Sequence, residues 1–134
     1  MSDAHRGLIY TMVLVSAVEK RLQDAELQTI GDIVGHLPAF REFDRGSLPG
    51  LLNDCTELLG GENGLERTLD AIKAALPAKF RETAYAIACD VVAADGEATQ
   101  EELQILELIR HRLNVERLVA AAIERGARAR FQTA

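Results

Sequence analysis

An all-α fold is predicted by three features of the sequence. Apolar residues recur at spacings of three and four along most of the chain, and no stretch of period two competes with them. The composition is rich in Ala, Leu, Glu and Arg, which are good helix formers, with only three prolines to interrupt them. Trp is absent and aromatics make up 4% of residues, so the core has to be built from Leu, Ile, Val and Ala. A chain of 134 residues suits one domain with a sizeable core, and no linker is long enough to divide it.

Taken in order, the first helix is predicted from about Arg6 to Lys20, burying Leu8, Met12 and Val15, with Ile9 and Val13 widening the apolar face. A second runs from Gln23 to Gly35 over Leu27, Ile30 and Val34, and Pro38 stops it. The stretch from Pro38 to Asp44 reads as a short helical turn that plugs the core with Phe40 and Phe43. A third helix starts at Ser47 and runs through Leu59 to the Gly60-Gly61 pair. Asn63 can cap a fourth, which carries Leu65, Leu69, Ile72 and Leu76 to Pro77. The fifth, from Ala78 to Ala94, shows Phe80, Ala84, Ile87 and Val91, and Asp90 within it is expected to face solvent. Leu103, Leu106, Ile109 and Leu113 line the sixth. Asn114 is expected to cap a seventh, which reaches about Ala129 with Leu118, Ala121 and Ala122 inward.

The junction of the fifth and sixth helices, Ala94-Asp95-Gly96-Glu97-Ala98-Thr99-Gln100-Glu101-Glu102, is the most informative stretch. Gly96 can take a positive φ after a helix end. Thr99 with Glu102 three residues on fits a capping box, in which a hydroxyl accepts from the N3 amide while the N3 carboxylate reaches back. A weaker copy lies 76 residues earlier: Asp95 falls on Glu19, Glu102 on Glu26 and Leu103 on Leu27, with Lys20 in place of Gly96 and Gln23 in place of Thr99. The expected organisation is therefore a single domain over 1–134 with an internal duplication of about 6–37 and 82–113.

The formal charge of −6 is unevenly spread. From Leu108 onward six arginines (110, 112, 117, 125, 128 and 130) face Glu116 and Glu124, a net of +4, so the rest of the chain carries −10. An acidic body argues against specific nucleic-acid binding, whereas the basic end can meet a protein partner or an anionic membrane surface. The apolar run from Gly7 to Val18 is shorter than the ~20 residues a bilayer span needs and has no basic leader. Cys55 and Cys89 form no spacing framework, so a reduced, cytoplasmic protein is expected. His5, His36 and His111 are scattered, no phosphate-binding loop follows a strand, and no catalytic set is visible, so an enzyme is not expected.

With Ala94-Asp95-Gly96 followed by Glu102, an Ala-rich helix before and a Leu-rich helix after, the chain resembles the TerB-like tellurite-resistance family. The resemblance implies an all-α fold of two related halves, a role in tellurite and related chemical stress, protein partners, and acidic turn residues able to ligate a divalent cation. It makes Asp95, Glu102, Glu19 and Glu26 the candidate ligands for Ca, Mg or Mn. An EF-hand is excluded by register, because Gly96 at loop position 6 puts Val91 and Ala93 at positions 1 and 3, where neither can coordinate. Three readings follow: a non-catalytic stress protein with a weak cation site at the acidic corners; a metal-independent helical scaffold that binds through its basic C-terminal helix; and, as the outsider, a metal-dependent hydrolase. Local capping by Thr99 and Glu102, with Asp95 bonded to turn amides, competes with any cation role.

Overall fold

The computed structural model describes residues 3–17 and 22–134. Seven α-helices and no strand are present among them: α1 (Asp3–Ser16), α2 (Asp24–His36), α3 (Leu48–Gly60), α4 (Gly64–Ala75), α5 (Arg81–Ala94), α6 (Gln100–Arg112) and α7 (Arg117–Arg130). Short 3₁₀ turns at Pro38–Phe40, Arg45–Ser47 and Ala78–Phe80 lead into or out of them. The all-α expectation holds. The final stretch expected of the first helix, residues 18–20, lies outside the described residues.

α1 is the centre of the packing. Eleven of its fourteen residues are buried, and it touches α2, α3, α4, α5 and α6. A helix stretch that is apolar on all sides has to be surrounded, and the uncharged run read from the sequence supplies α1 from Gly7 to Ser16. Leu8, Ile9, Met12 and Val13 are fully excluded from solvent. Gly7 sets the approach of α4, because a Cβ there would lie 2.8 Å from the Leu76 side chain. Phe40 and Phe43 do plug one end: His5 sits 5.7 and 5.2 Å, centroid to centroid, from their rings and bonds to the Ala39 carbonyl at 3.0 Å.

Several inward assignments are corrected. Leu27 and Leu103 are 38% and 49% exposed. Both stand at the fourth residue of a helix, level with Leu22 and Ala98 just before the N-cap, which are the positions of a hydrophobic staple and not of the core stripe. Leu65 is likewise exposed in the first turn of α4. In α7 the inward residues are Ala120 and Ala127, flanked by half-buried Val119 and Ile123, while Leu118 is 75% exposed and Ala121 and Ala122 face solvent. Relative to the sequence expectation, the helix is turned about its axis by roughly half a revolution.

The cause of that difference is the α6–α7 junction. Asn114 does not cap α7; Glu116 holds that position. Asn114 instead closes α6 with φ of 56°. Its N–H donates to the His111 carbonyl at 3.1 Å and the Val115 N–H to the Arg110 carbonyl at 3.0 Å. That pair of bonds is a Schellman motif, in which asparagine substitutes for the usual glycine. Asn63 occupies the N-cap of α4 as expected, but at φ of 54° and without a side-chain capping bond.

Candidate functional site

The corner between α5 and α6 forms as the sequence implies. Asp95 is the C-cap of α5, and Gly96 follows at φ of +97°, its N–H donating to the Ala93 carbonyl at 3.1 Å. Thr99 is the N-cap of α6: its Oγ1 accepts from the Glu102 N–H at 3.1 Å, and its own N–H donates to Glu102 Oε1 at 2.9 Å. At the start of α2 the Gln23 N–H donates to Glu26 Oε1 at 2.8 Å. Gln23 thus stands where Thr99 stands, and Glu26 where Glu102 stands.

Glu26 and Glu102 are consequently buried, at 6% and 8% exposure, in contrast to an ordinary surface glutamate. Each lies against the positive end of a helix, where a carboxylate is favoured, and each bonds a backbone N–H that the helix leaves without an internal acceptor. Asp95, Gly96, Glu97 and Ala98 remain exposed. The fourth candidate ligand, Glu19, lies outside the described residues. Among the described residues no three His, Cys, Asp or Glu side chains come together as a metal cage requires. Glu26 and Glu102 each spend one carboxylate oxygen on a helix end.

Each corner borders a cleft. Ala93, Ala98 and Leu103 line one of about 510 Å³ between α5, α6 and α7. Ala17, Leu22 and Leu27, in each case 76 residues earlier, line one of about 540 Å³ closed by Pro49, Leu52 and Leu59 of α3. Among the described residues the second is lined by uncharged side chains, whereas the first also carries Tyr85, Glu107, Glu124 and Arg128.

The C-terminal arginines divide into two groups. Arg110 bonds Glu107 at 2.7 Å, Arg112 reaches across to Glu66 at 2.5 Å and Asp70 at 2.7 Å on α4, and Arg130 bonds Asp90 of α5. Asp90 is thus not turned to solvent; its side chain is only 18% exposed and is paired, as burial of a carboxylate demands. The Arg110 bond also holds the Glu107 carboxyl below its ordinary range. Arg117, Arg125 and Arg128 make no ion pair among the described residues; all three are exposed on α7, Arg128 at the rim of the α5–α6–α7 cleft. The Tyr85 hydroxyl donates to Glu124 of α7, and burial, ahead of that bond, pushes the Tyr85 pKa far up.

Sequence reasoning missed the Tyr85–Glu124, Asp90–Arg130 and Arg112–Glu66/Asp70 contacts, which join residues 39 to 46 apart in the chain. The aspartate set among Ile87, Cys89, Val91 and Val92 was the one local sign that a cation must come to meet it. No helix among the described residues is long and apolar enough to cross a membrane.

A family model described as tellurite resistance protein TerB matches residues 5–125. No curated protein and no solved structure matches the chain. The match covers most of the sequence, including the corner, both capping glutamates and α7 as far as Arg125. The chain belongs to the TerB tellurite-resistance family.

Proposed function

We propose that this protein serves in the response to tellurite and related chemical stress, as a non-catalytic, cytoplasmic module that acts by binding a protein partner. Family membership supplies the setting. The observation that carries the binding mode is the exposed surface of α7, where Arg117, Arg125 and Arg128 stand without ion pairs among the described residues, on a chain of net charge −6. Contact of the same face with an anionic membrane surface is the other outcome of this chemistry. The duplication of about 6–37 and 82–113 belongs to the proposal too, supported by the matching caps and clefts 76 residues apart.

The experiment is complementation. A strain lacking the protein is challenged with tellurite and supplied with the wild type or with Arg117→Gln/Arg125→Gln/Arg128→Gln. The reading expects the wild type to restore growth and the triple variant, folded to the same extent by circular dichroism, to fail. Equal rescue by both would remove α7 from the function, and no effect of deletion would remove the stress role.

A second reading keeps a weak divalent-cation site for Ca, Mg or Mn at the α5–α6 corner, with Asp95 and Glu102 as ligands and Glu19 and Glu26 contributing from the other copy. The exposed acidic turn Asp95-Gly96-Glu97 favours it. Against it stands the capping work of Glu102 and Glu26.

A further inference from the structure

α7 packs mainly on one neighbour. Two of its fourteen residues, both alanines, are buried, with Val119 and Ile123 half-buried against the core, whereas eleven of fourteen are buried in α1. Its main neighbour is α5, and two side-chain bonds tie it there, Tyr85 to Glu124 and Arg130 to Asp90. The cleft of about 510 Å³ shows that α7 does not close its joint with α5 and α6. It is joined to α6 by the tight turn at Asn114, Val115 and Glu116, with Asn114 left-handed. A segment with few buried apolar contacts opens at lower free energy than the core.

We propose that α7 is a hinged cover: it swings from α5 as a unit about the 114–116 turn, while α1 to α6 stay folded, and bares the apolar surface of α5 at Tyr85, Cys89 and Val92. This is independent of the stress reading, because it rests on packing alone. It gives the fold a concealed apolar surface that is present only in the open state.

The two cysteines supply the test. Cys89 lines the cleft that α7 covers, whereas Cys55 is fully buried, its Sγ 3.9 Å from the Tyr10 carbonyl of α1. Burial pushes both thiols up to about 12; Tyr85 and Arg130 each lower the Cys89 value, so their removal alone would slow alkylation and an acceleration reads opening. The whole protein is treated with iodoacetamide at increasing, sub-denaturing urea, and each thiol is followed by mass spectrometry. Cys89 should react at least about tenfold faster than Cys55, with a much shallower urea dependence, since local opening exposes less surface than unfolding. Tyr85→Phe with Arg130→Gln should raise the Cys89 rate roughly three- to tenfold, the range expected for loss of partly exposed bonds. Equal rates and equal urea dependence for the two thiols would show that α7 leaves only on global unfolding and would overturn the proposal. A fast Cys89 that no variant accelerates would mean static access through the cleft and would overturn it equally.

Discussion

Removing the capping box at α6 gives the sharpest test of what Glu102 does. Thr99→Ala deletes the acceptor for the Glu102 N–H while the Glu102 carboxylate keeps its bond to the backbone N–H at position 99. Loss of an N-cap hydroxyl costs about 1 kcal/mol. At about 2.1 cal/mol/K per residue, unfolding of this chain carries an entropy of about 280 cal/mol/K, so the melting temperature should fall by ~3–4 °C. Glu102→Ala removes the reciprocal acceptor and leaves a partly buried N–H without a partner, at a cost of about 1–2 kcal/mol. Glu102→Gln keeps an oxygen for that N–H and loses only the charge at the helix start, about 0.3–1 kcal/mol. The expected order of loss is therefore Glu102→Gln least, then Thr99→Ala, then Glu102→Ala. The double variant Thr99→Ala/Glu102→Ala should be less damaging than the sum of its parts, because the two bonds share one turn. Thermal and urea unfolding measure all four. Were the Gln and Ala substitutions of Glu102 equally costly, the carboxylate would be acting through its charge and the capping argument would be refuted.

Three further outcomes are expected. Because both thiols are held near 12 from an ordinary value of 9, their contribution is complete below pH 9 and is lost as pH rises toward 12; each loses about 1.4 kcal/mol per pH unit above 9. The Cys55→Ala/Cys89→Ala variant should accordingly show a flatter fall of unfolding free energy between about pH 9 and about pH 10.5. Gly64→Ala would place its Cβ 2.0 Å from the Leu59 carbonyl oxygen, and should cost about 3 kcal/mol in urea unfolding, whereas a loss under about 1 kcal/mol would mean the α3–α4 turn yields freely. Arg112→Gln breaks the bridges to Glu66 and Asp70, both more than half exposed, so its cost should stay below about 1 kcal/mol and shrink further in about 1 M salt.

The α5–α6 corner and its cap were legible because their causes are local. Gly96 reports a left-handed turn, and Thr99 with Glu102 reports a cap, all within a short stretch of chain. α1 was legible because its uncharged stretch from Gly7 to Ser16 is apolar on every side and has to be surrounded by other helices. The orientation of α7 was not, since its inward face is made of alanines that differ little from the outward ones, and Leu118 offers a false signal in its first turn. Nor were the pairings of Asp90, Glu124 and Arg112, which depend on how helices far apart in sequence lie together. Asp90 illustrates the limit: its burial was open to inference from its apolar neighbours, but the arginine that compensates it comes from the far end of the chain.

The α5–α6 corner carries the central question, whether its carboxylates serve the helix ends or a cation. The direct measurement is the melting temperature of the wild type and of Asp95→Asn/Glu102→Gln during titration with Ca²⁺, Mg²⁺ and Mn²⁺ at constant ionic strength. A ligand that binds only the folded state raises stability by about 2.7 kcal/mol at about a hundredfold excess over its dissociation constant, here about 10 °C. With the glutamates acting as caps, the account predicts that the double variant starts lower and that both proteins respond alike to the ions. A saturating rise in the wild type that is abolished in the double variant would contradict it and establish the corner as a cation site.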